Sequence, residues 1–357
     1  MKIAMFCWRP YHVFTTINMV SNNVEDTKGN TTLFLYNYAN LLQLKDELEA
    51  TGLFNDIVVI EDYKGSSQYF RKVLGLVAPK MAFKRQLSLD SNLDAKTIVT
   101  RNAYDKIIVT SFNTTMFEFV QLNKSTTIVL YEDGMFSYLF DEVMYSLNTQ
   151  YKRVKWLIKA RIRQFNIEAK YVYEPKLVFS GRYHLSSLPK INDHTNNIQK
   201  KAFSYDQDAV LEQYKGKRII YLDERFPIER FKDNVSEDEI FDTMKQYAEQ
   251  TILRPHPGNN PGSVLFDLDK TNQSWELCCK DILNDESIII TKTSTAAFTP
   301  LMLYGIQCHI IYLAELLFED TKGVEKIPKK LVDDLGYKKI YLPKTMDEFR
   351  KIINSIV

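Results

Sequence analysis

The chain has 357 residues, more than one hydrophobic core usually organises, so we expect two domains of roughly 150 to 200 residues each. Its 46 lysine and arginine residues nearly balance its 45 aspartate and glutamate residues, which excludes the strong positive field of a typical nucleic-acid-binding protein. The four cysteines lack CxxC spacing and no apolar run reaches about 18 residues, which argues against a zinc site, a disulfide framework and a transmembrane helix. With no secretory signal pattern at the start, these features favour a cytoplasmic protein.

The first half of the chain alternates short apolar runs with longer amphipathic segments. The predicted strands are Ile3–Cys7, Thr32–Tyr36, Ile57–Ile60, Lys106–Thr110 and Thr127–Tyr131, and helical patterns lie between them at about 10–20, 40–50, 66–88 and 113–122. Strands that are separated by helix-length crossovers pair in parallel and carry helices on both faces of the sheet. The pattern therefore predicts a doubly wound α/β domain over residues 1–185.

A second α/β alternation follows a stretch at 186–208 that is rich in polar breakers and predicts an interdomain linker. The predicted strands are Arg218–Leu222, Thr251–Leu253, Ser287–Thr291 and Cys308–Tyr312, and the predicted helices are 236–249, 274–283, 295–304 and 345–356. We expect a second domain over 209–340 and a C-terminal helix within 341–357. The absence of GxGxxG, Walker and GxSxG motifs argues against an oxidoreductase, a P-loop kinase and an α/β-hydrolase.

A histidine between two prolines follows the strand at Thr251–Leu253, in the run Arg254, Pro255, His256, Pro257 and Gly258. Each proline fixes its own φ and keeps the preceding residue extended, so the imidazole is held on a stiff loop. A strand end of an α/β sheet is where such folds bind ligands. There His256 can donate a proton or a hydrogen bond to a leaving phosphate; the alternative is a rigid turn without a chemical role.

The strand Thr127–Tyr131 runs directly into Glu132, Asp133 and Gly134, which places two carboxylates and a turn-forming glycine at a strand end. This is a second candidate site, and a simple Asp-Gly turn is the alternative. His12 follows the first strand and also lies on the ligand-facing edge.

Asp223, at the end of the first strand of the second domain, is a reserve candidate for a catalytic base. A turn or an ion pair with Arg225 is its structural alternative. Further along, Thr293, Ser294 and Thr295 follow a strand and precede a helix, where free N–H groups and hydroxyls suit a phosphate. Helix capping alone would need only one of these three residues.

Two other patterns have equally ordinary explanations. Asp267 and Asp269 form a DxD pair, which can bind a metal, but they lie in a polar stretch that favours an exposed loop. Residues 151–165 form a basic amphipathic pattern without an acid, which could lie on an anionic lipid surface or be a solvated helix face.

The two α/β domains, the acid-Asp-Gly triplet, the His-Pro pair and the hydroxyl cluster together resemble the bacterial sialyltransferases. The opening strand followed by Pro10, Tyr11 and His12 looks most like glycosyltransferase family 52, whose members decorate lipooligosaccharide or capsule. The resemblance implies a GT-B-like fold, with two Rossmann-like domains that face a central cleft. It places the donor CMP-sialic acid mainly on the second domain and the acceptor sugar mainly on the first.

By this resemblance Asp133 deprotonates the acceptor hydroxyl, with Glu132 or Asp223 as the other candidates, and His256 assists the leaving phosphate. Donor contacts are expected from Arg254, Pro257, Gly258, Thr293, Ser294 and Thr295, and acceptor-side contacts from Gly134 and His12. CMP carries one phosphate, so we expect neither a metal nor another cofactor.

The sequence thus predicts an inverting sialyltransferase that acts on a bacterial surface glycan, with a nucleotide sugar and a glycan as its partners and no nucleic acid. Peripheral contact with the inner membrane through 151–165, and a homodimer, are left open. The alternatives are a GT-B transferase that uses a UDP-hexose, and a non-catalytic component of polysaccharide assembly.

Overall fold

A computed structural model describes most of the chain in two compact units, Met1–Ser204 (unit 1) and Tyr205–Val357 (unit 2). The described residues are 1–37, 41–60, 103–110, 116, 119–120, 122–123, 126–134, 136–139, 166–179, 183–224, 231–232, 235–256, 265–321 and 323–357. The predicted helices at 66–88 and 151–165 lie outside these residues, and the one at 113–122 is described only in part.

Unit 1 is built on a seven-stranded sheet in which every strand pair is parallel. Its strands are β1 (Ile3–Cys7), β2 (Thr31–Tyr36), β3 (Asp56–Ile60), β4 (Lys106–Val109), β5 (Thr127–Tyr131), β6 (Asn166–Val172) and β7 (His184–Ser187). The spatial order is β3-β2-β1-β4-β5-β6-β7. β1 and β2 are buried along their whole length, as expected for strands that are covered on both faces.

The described helices of unit 1 are α1 (Pro10–Ser21), α2 (Lys45–Ala50), α3 (Phe136–Leu139) and α4 (Asp193–Ala202), with shorter 3-10 turns at Val24–Asp26, Leu41–Leu44 and Pro175–Leu177. α1 begins at a proline, which suits the first helical position because the missing N–H has no partner there.

The predicted linker at 186–208 is largely ordered structure of unit 1 and not an irregular connection. β7 ends at Ser187, α4 begins after an Asn192 cap that accepts a hydrogen bond from the Thr195 N–H at 2.9 Å, and the unit boundary follows Ser204. The Gln199 amide donates to the Phe14 carbonyl oxygen at 2.9 Å, which joins α4 to α1. Polar side chains fill this contact, so no hydrophobic periodicity marks the helix in the sequence.

Unit 2 has a six-stranded sheet, again with parallel pairs throughout. Its strands are β8 (Ile219–Leu222), β9 (Thr251–Arg254), β10 (Asp267–Leu268), β11 (Ile288–Thr291), β12 (His309–Tyr312) and β13 (Ile340–Tyr341). The spatial order is β10-β9-β8-β11-β12-β13.

The described helices of unit 2 are α5 (Gln207–Gln213), α6 (Glu237–Met244), α7 (Trp275–Ile282), α8 (Ala314–Leu317), α9 (Lys326–Asp333) and α10 (Met346–Ile356). A 3-10 segment extends α6 over Lys245–Gln250, and the predicted helix at 295–304 is a 3-10 turn at Thr295–Phe298 followed by a π-helical turn at Pro300–Tyr304. α10 packs on the core of unit 2 through its buried Phe349 and Ile353. In the part of the chain that the structure describes, no helix is long and apolar enough to span a membrane.

The same strand order organises both units, and it confirms the predicted doubly wound α/β class. In each sheet the chain first moves outward on one side of the first strand and then returns to the other side. The order therefore reverses between β1 and β4 in unit 1 and between β8 and β11 in unit 2. Open α/β sheets bind ligands outside the carboxyl ends of the strands at such reversals.

Candidate active site

In unit 1, a histidine and an aspartate from different strand ends meet at the reversal point. His12 lies in the first turn of α1, just after β1, and Asp133 follows β5. The His12 Nε2 atom lies 2.5 Å from Asp133 Oδ1, and the Arg9 Nη1 atom lies 3.7 Å from the same oxygen. The His12 side chain is buried, whereas that of Asp133 is 20% exposed, so the carboxylate is the member of this pair that a substrate can reach.

The neighbouring carboxylate, Glu132, points into the protein. It is 1% exposed, and it accepts hydrogen bonds from the Tyr11 hydroxyl at 2.7 Å, the Tyr173 peptide N–H at 2.9 Å and the Tyr138 hydroxyl. Burial raises the pKa of Glu132, although these donors oppose the shift. A carboxylate whose two oxygens are both occupied anchors the loop and is poorly placed to reach a substrate.

Gly134 completes the turn that presents Asp133. Its φ is +69°, a left-handed conformation that glycine adopts without the strain a Cβ atom would add. The Asp133 peptide N–H donates to the Ser137 Oγ at 2.6 Å, which closes the turn onto α3. The predicted sharp turn after β5 is therefore present, with one carboxylate on each side of the chain.

In unit 2, a buried lysine joins the ends of β8 and β11. Lys292 Nζ lies 3.4 Å from Asp223 Oδ1 and 2.9 Å from Glu237 Oε1, and the Tyr221 hydroxyl donates to the same Glu237 oxygen at 2.8 Å. Burial alone would lower the pKa of Lys292, but the carboxylates of Glu237 and Asp223 raise it. The lysine is thus charged at neutral pH, and Asp223, the reserve base, is held by this cation.

Glu224, next to Asp223, accepts a hydrogen bond from a peptide N–H that was predicted to bind phosphate. The Thr293 peptide N–H donates to Glu224 Oε1, and burial raises the pKa of this carboxyl to about 7. Ser294 caps the 3-10 turn by accepting from the Ala296 N–H at 3.3 Å, and Thr293 is buried. Of the three predicted phosphate-binding hydroxyl residues, only Ser294 and Thr295 are partly exposed.

Arg254, which was predicted to contact the donor, is committed to the interior of unit 2. Its Nη1 atom lies 2.5 Å from Asp269 Oδ2, its other Nη group donates to the Gln273 carbonyl oxygen, and its guanidinium lies 5.3 Å from the Trp275 ring centre. Asp267, the other member of the DxD pair, lies 2.5 Å from Lys217 Nζ. The two aspartates therefore neutralise different cations.

His256 is exposed and follows β9 after a single proline. It thus lies at the carboxyl end of the sheet of unit 2, on the strand next to β8. Pro257 and Gly258, the other predicted donor contacts of this loop, lie outside the described residues.

Sequence reasoning missed several residues that hold these groups in place. Tyr11 and His12 are consecutive, and they contact the consecutive carboxylates Glu132 and Asp133. In the sequence this pairing is indicated merely by the position of each pair of polar residues close after the end of a strand. Lys292 and Glu224 were given no role from the sequence, although each lies next to a candidate residue. Their partnership depends on β8 and β11 being neighbours, which no local pattern reveals.

Comparison with known proteins tests the predicted resemblance. The family model described as alpha-2,8-polysialyltransferase (POLYST) matches residues 5–294, and no curated protein sequence matches the chain significantly. The predicted resemblance to bacterial sialyltransferases is confirmed at this level.

Solved structures with a similar fold cover nearly the whole chain. An alpha/beta-galactoside alpha-2,3-sialyltransferase from the luminous marine bacterium Photobacterium phosphoreum aligns over 96% of this chain and 98% of that chain, with a TM-score of 0.51 and 13% identity. A putative UDP-N-acetylglucosamine 2-epimerase from Listeria monocytogenes (TM-score 0.52, 11% identity, 99% and 87% covered) and the spinosyn forosaminyltransferase SpnP (0.52, 10%, 100% and 90%) are also similar. At these identities the likeness concerns the fold, and it confirms the predicted GT-B class.

Proposed function

This chain belongs to the alpha-2,8-polysialyltransferase family and is a glycosyltransferase, and from this premise we propose that it transfers sialic acid from CMP-sialic acid to a growing chain of alpha-2,8-linked sialic acid. The observation that carries the proposal is the family match over residues 5–294, a span that contains both the Glu132–Gly134 loop and His256. The proposed product is part of a bacterial surface glycan such as a capsule or lipooligosaccharide.

In the proposed reaction, Asp133 accepts the proton of the acceptor hydroxyl while the hydroxyl oxygen bonds to the anomeric carbon of sialic acid. The bond from that carbon to the phosphate oxygen breaks, and its electron pair leaves with CMP from the opposite face, so the configuration inverts. Asp133 suits this role better than Glu132, because its Oδ2 accepts no hydrogen bond from any residue that the structure describes, whereas both oxygens of Glu132 already accept one. Asp223 is less suited because Lys292 holds it.

We assign the donor phosphate to the carboxyl ends of the strands of unit 2. His256 is exposed after β9 and supplies the N–H that stabilises charge on the leaving phosphate. The partly exposed Ser294 and Thr295 offer hydroxyl donors beside it in this proposal. Thr293 and Arg254 serve the stability of unit 2 instead, since the N–H of one and the guanidinium of the other already have protein partners.

The reaction is proposed to be independent of metal ions. The donor carries a single phosphate diester, whose one charge needs fewer cations than the diphosphate of a UDP-sugar. Asp267 and Asp269, the pair with metal-binding spacing, are each neutralised by a different basic side chain. Turnover that persists in excess EDTA is the expected result, and turnover that returns only with added magnesium would contradict it.

The test of this function is elongation of a fluorescent alpha-2,8-linked oligosialic acid by the purified protein with CMP-sialic acid, followed by anion-exchange chromatography. We expect products longer by whole sialic acid units. Asp133→Asn and His256→Ala should each lower kcat by about 10²-fold or more without lowering Tm. Asp208→Asn and His194→Ala, which alter exposed residues away from the strand ends, are the matched controls.

A thermal-shift series separates the alternatives, because a ligand that binds only the folded protein raises Tm. Stabilisation by CMP supports the proposal. Stabilisation by UDP and not by CMP would indicate that the donor is a UDP-hexose. Normal glycan synthesis in cells whose protein carries Asp133→Asn and His256→Ala would indicate a non-catalytic component.

Cellular placement follows from the substrates in this proposal. CMP-sialic acid and the growing chain are proposed to meet the protein on the cytoplasmic side, with the 151–165 segment as the peripheral contact to the inner membrane. Co-sedimentation with anionic vesicles tests this contact, and analytical ultracentrifugation tests the homodimer.

A further inference from the structure

The first turn of α1 contacts both carboxylates of the loop that follows β5. The Tyr11 hydroxyl donates to Glu132, and His12 contacts Asp133, so two consecutive residues of one helix bind two consecutive acids. β4 lies between β1 and β5 in the sheet, which means that these contacts span the whole reversal point. The orientation of Asp133 therefore depends on the first turn of α1.

The imidazole of His12 has a fixed orientation and a defined tautomer. Its ring is 0% exposed and makes edge-on contacts with the rings of Trp8, 4.8 Å between centres, and Tyr131, 6.2 Å between centres. The Trp8 peptide N–H donates to Nδ1 at 3.4 Å, so Nδ1 is the acceptor and Nε2 carries the hydrogen that reaches Asp133.

The ring also stays neutral while it holds the aspartate. Burial lowers the pKa of His12, with Arg9 acting in the same direction, and the contact with Asp133 only partly opposes this. Once Asp133 has taken a proton from the acceptor, the aspartate no longer carries the negative charge that would favour an imidazolium ion. No step of the reaction therefore makes a proton on this buried ring favourable.

We infer that His12 is the positioning residue of Asp133: its Nε2–H holds Oδ1 so that Oδ2 faces the acceptor hydroxyl, and the ring itself does not accept the proton. The inference rests on the proposed function, in which Asp133 is the base. A carboxylate with one fixed oxygen loses its rotational freedom before the acceptor arrives, which favours the reactive geometry.

Two amide substitutions of His12 separate positioning from proton transfer. The side-chain nitrogen of His12→Gln reaches about as far as Nε2, so it can donate to Asp133 Oδ1 but cannot be protonated at neutral pH. The shorter His12→Asn places its amide near the position of Nδ1 and leaves Oδ1 without this donor. The pair matches in polarity and differs in reach.

We expect His12→Asn to lower kcat by about 10²-fold, the size of effect that misplacing a reactive group has elsewhere, with little change in the KM for CMP-sialic acid. His12→Gln should remain within about tenfold of the wild-type kcat. In an Asp133→Asn background, His12→Asn should cause no further loss, because nothing remains to be oriented.

Three results would overturn the inference. A folded His12→Gln as slow as His12→Asn would show that the imidazole takes up the proton, wild-type turnover by His12→Asn would show that Asp133 needs no support, and independent losses in the double variant would show that the two residues act separately. Wild-type turnover by Asp133→Asn alone has a different meaning, because it removes the base from the proposed function as well. If His12→Asn does not fold, a kcat for His12→Gln more than about 10²-fold below wild type overturns the inference, and a kcat within tenfold supports it.

Discussion

Removal of the Asp269 carboxylate should destabilise unit 2 strongly, because it leaves the Arg254 guanidinium buried without its counter-ion. The two side chains are 3% and 13% exposed and lie 2.5 Å apart, and Asp269 also accepts from the Tyr214 hydroxyl at 2.8 Å. Breaking a buried ion pair from one side costs about 3–5 kcal/mol. For a unit of about 150 residues, each kcal/mol corresponds to a Tm shift of about 2–4 °C, so Asp269→Ala should lower Tm by about 6–20 °C.

Asp267→Ala is the matched control for this experiment. Asp267 lies two residues earlier and also contacts a cation, Lys217, at 2.5 Å, but its side chain is 65% exposed, so its loss should cost less than about 1 kcal/mol. Urea unfolding followed by circular dichroism and tryptophan fluorescence gives both values. Equal stability of the two variants would refute the reasoning, and a raised KM for the donor in Asp269→Ala with unchanged stability would return Arg254 to the donor site.

Three further substitutions test the two sites. The pKa of Glu224 in the folded state is about 7, above its ordinary value, so its ionisation destabilises the fold as pH rises from about 4.5 towards 7. Glu224→Gln should therefore resist urea better than wild type at pH 8 but not at pH 4. The exposed control Glu212→Gln should show no such gain. Gly134→Ala should cost about 1–2 kcal/mol and slow turnover, because its φ is +69°, and Gly134→Asn, which tolerates this conformation better, should lose less by the same unfolding and activity assays. Arg9, 58% exposed and 3.7 Å from Asp133, should lower the KM for an anionic acceptor in the proposed reaction, so Arg9→Met should raise that KM several-fold and leave the donor KM unchanged; an unchanged acceptor KM would contradict this role.

The strands that are buried on both faces could be predicted from the sequence, because each is a continuous apolar run. β1, β5 and β8 begin and end within a residue of their predicted limits. β6 was not predicted because it lacks a continuous apolar run: it includes Glu168 and Lys170, and its first three residues are exposed or half-buried. α4 was not predicted because it contacts α1 through polar side chains and therefore lacks a hydrophobic period. Local patterns report burial, and they miss elements whose packing is polar.

The candidate residues could be named from the sequence, but their partnerships could not. His12 and Asp133 were identified for separate reasons, 121 positions apart in the chain, and the preference for Asp133 over Glu132 as the base came from the resemblance and not from any known contact. The order of the strands brings the first pair together, and the hydrogen bonds from Tyr11, Tyr138 and the Tyr173 peptide N–H show that Glu132 faces inward. The same limit applies to Lys292, whose partners come from two other segments.

The reversal of strand order presents a carboxylate in unit 1 and a cationic side chain in unit 2. In unit 1 the reversal point presents an aspartate beside a buried histidine that stays neutral, which leaves the carboxylate able to accept a proton. In unit 2 the reversal point holds a lysine that its neighbours keep charged, and the exposed His256 follows the adjacent strand. A proton acceptor on one sheet and cationic or N–H groups on the other are what the two ends of an inverting displacement require. In the proposed reaction Asp133 serves the acceptor and His256 serves the donor, so loss of Asp133 should spare CMP binding while loss of His256 should leave acceptor binding unchanged.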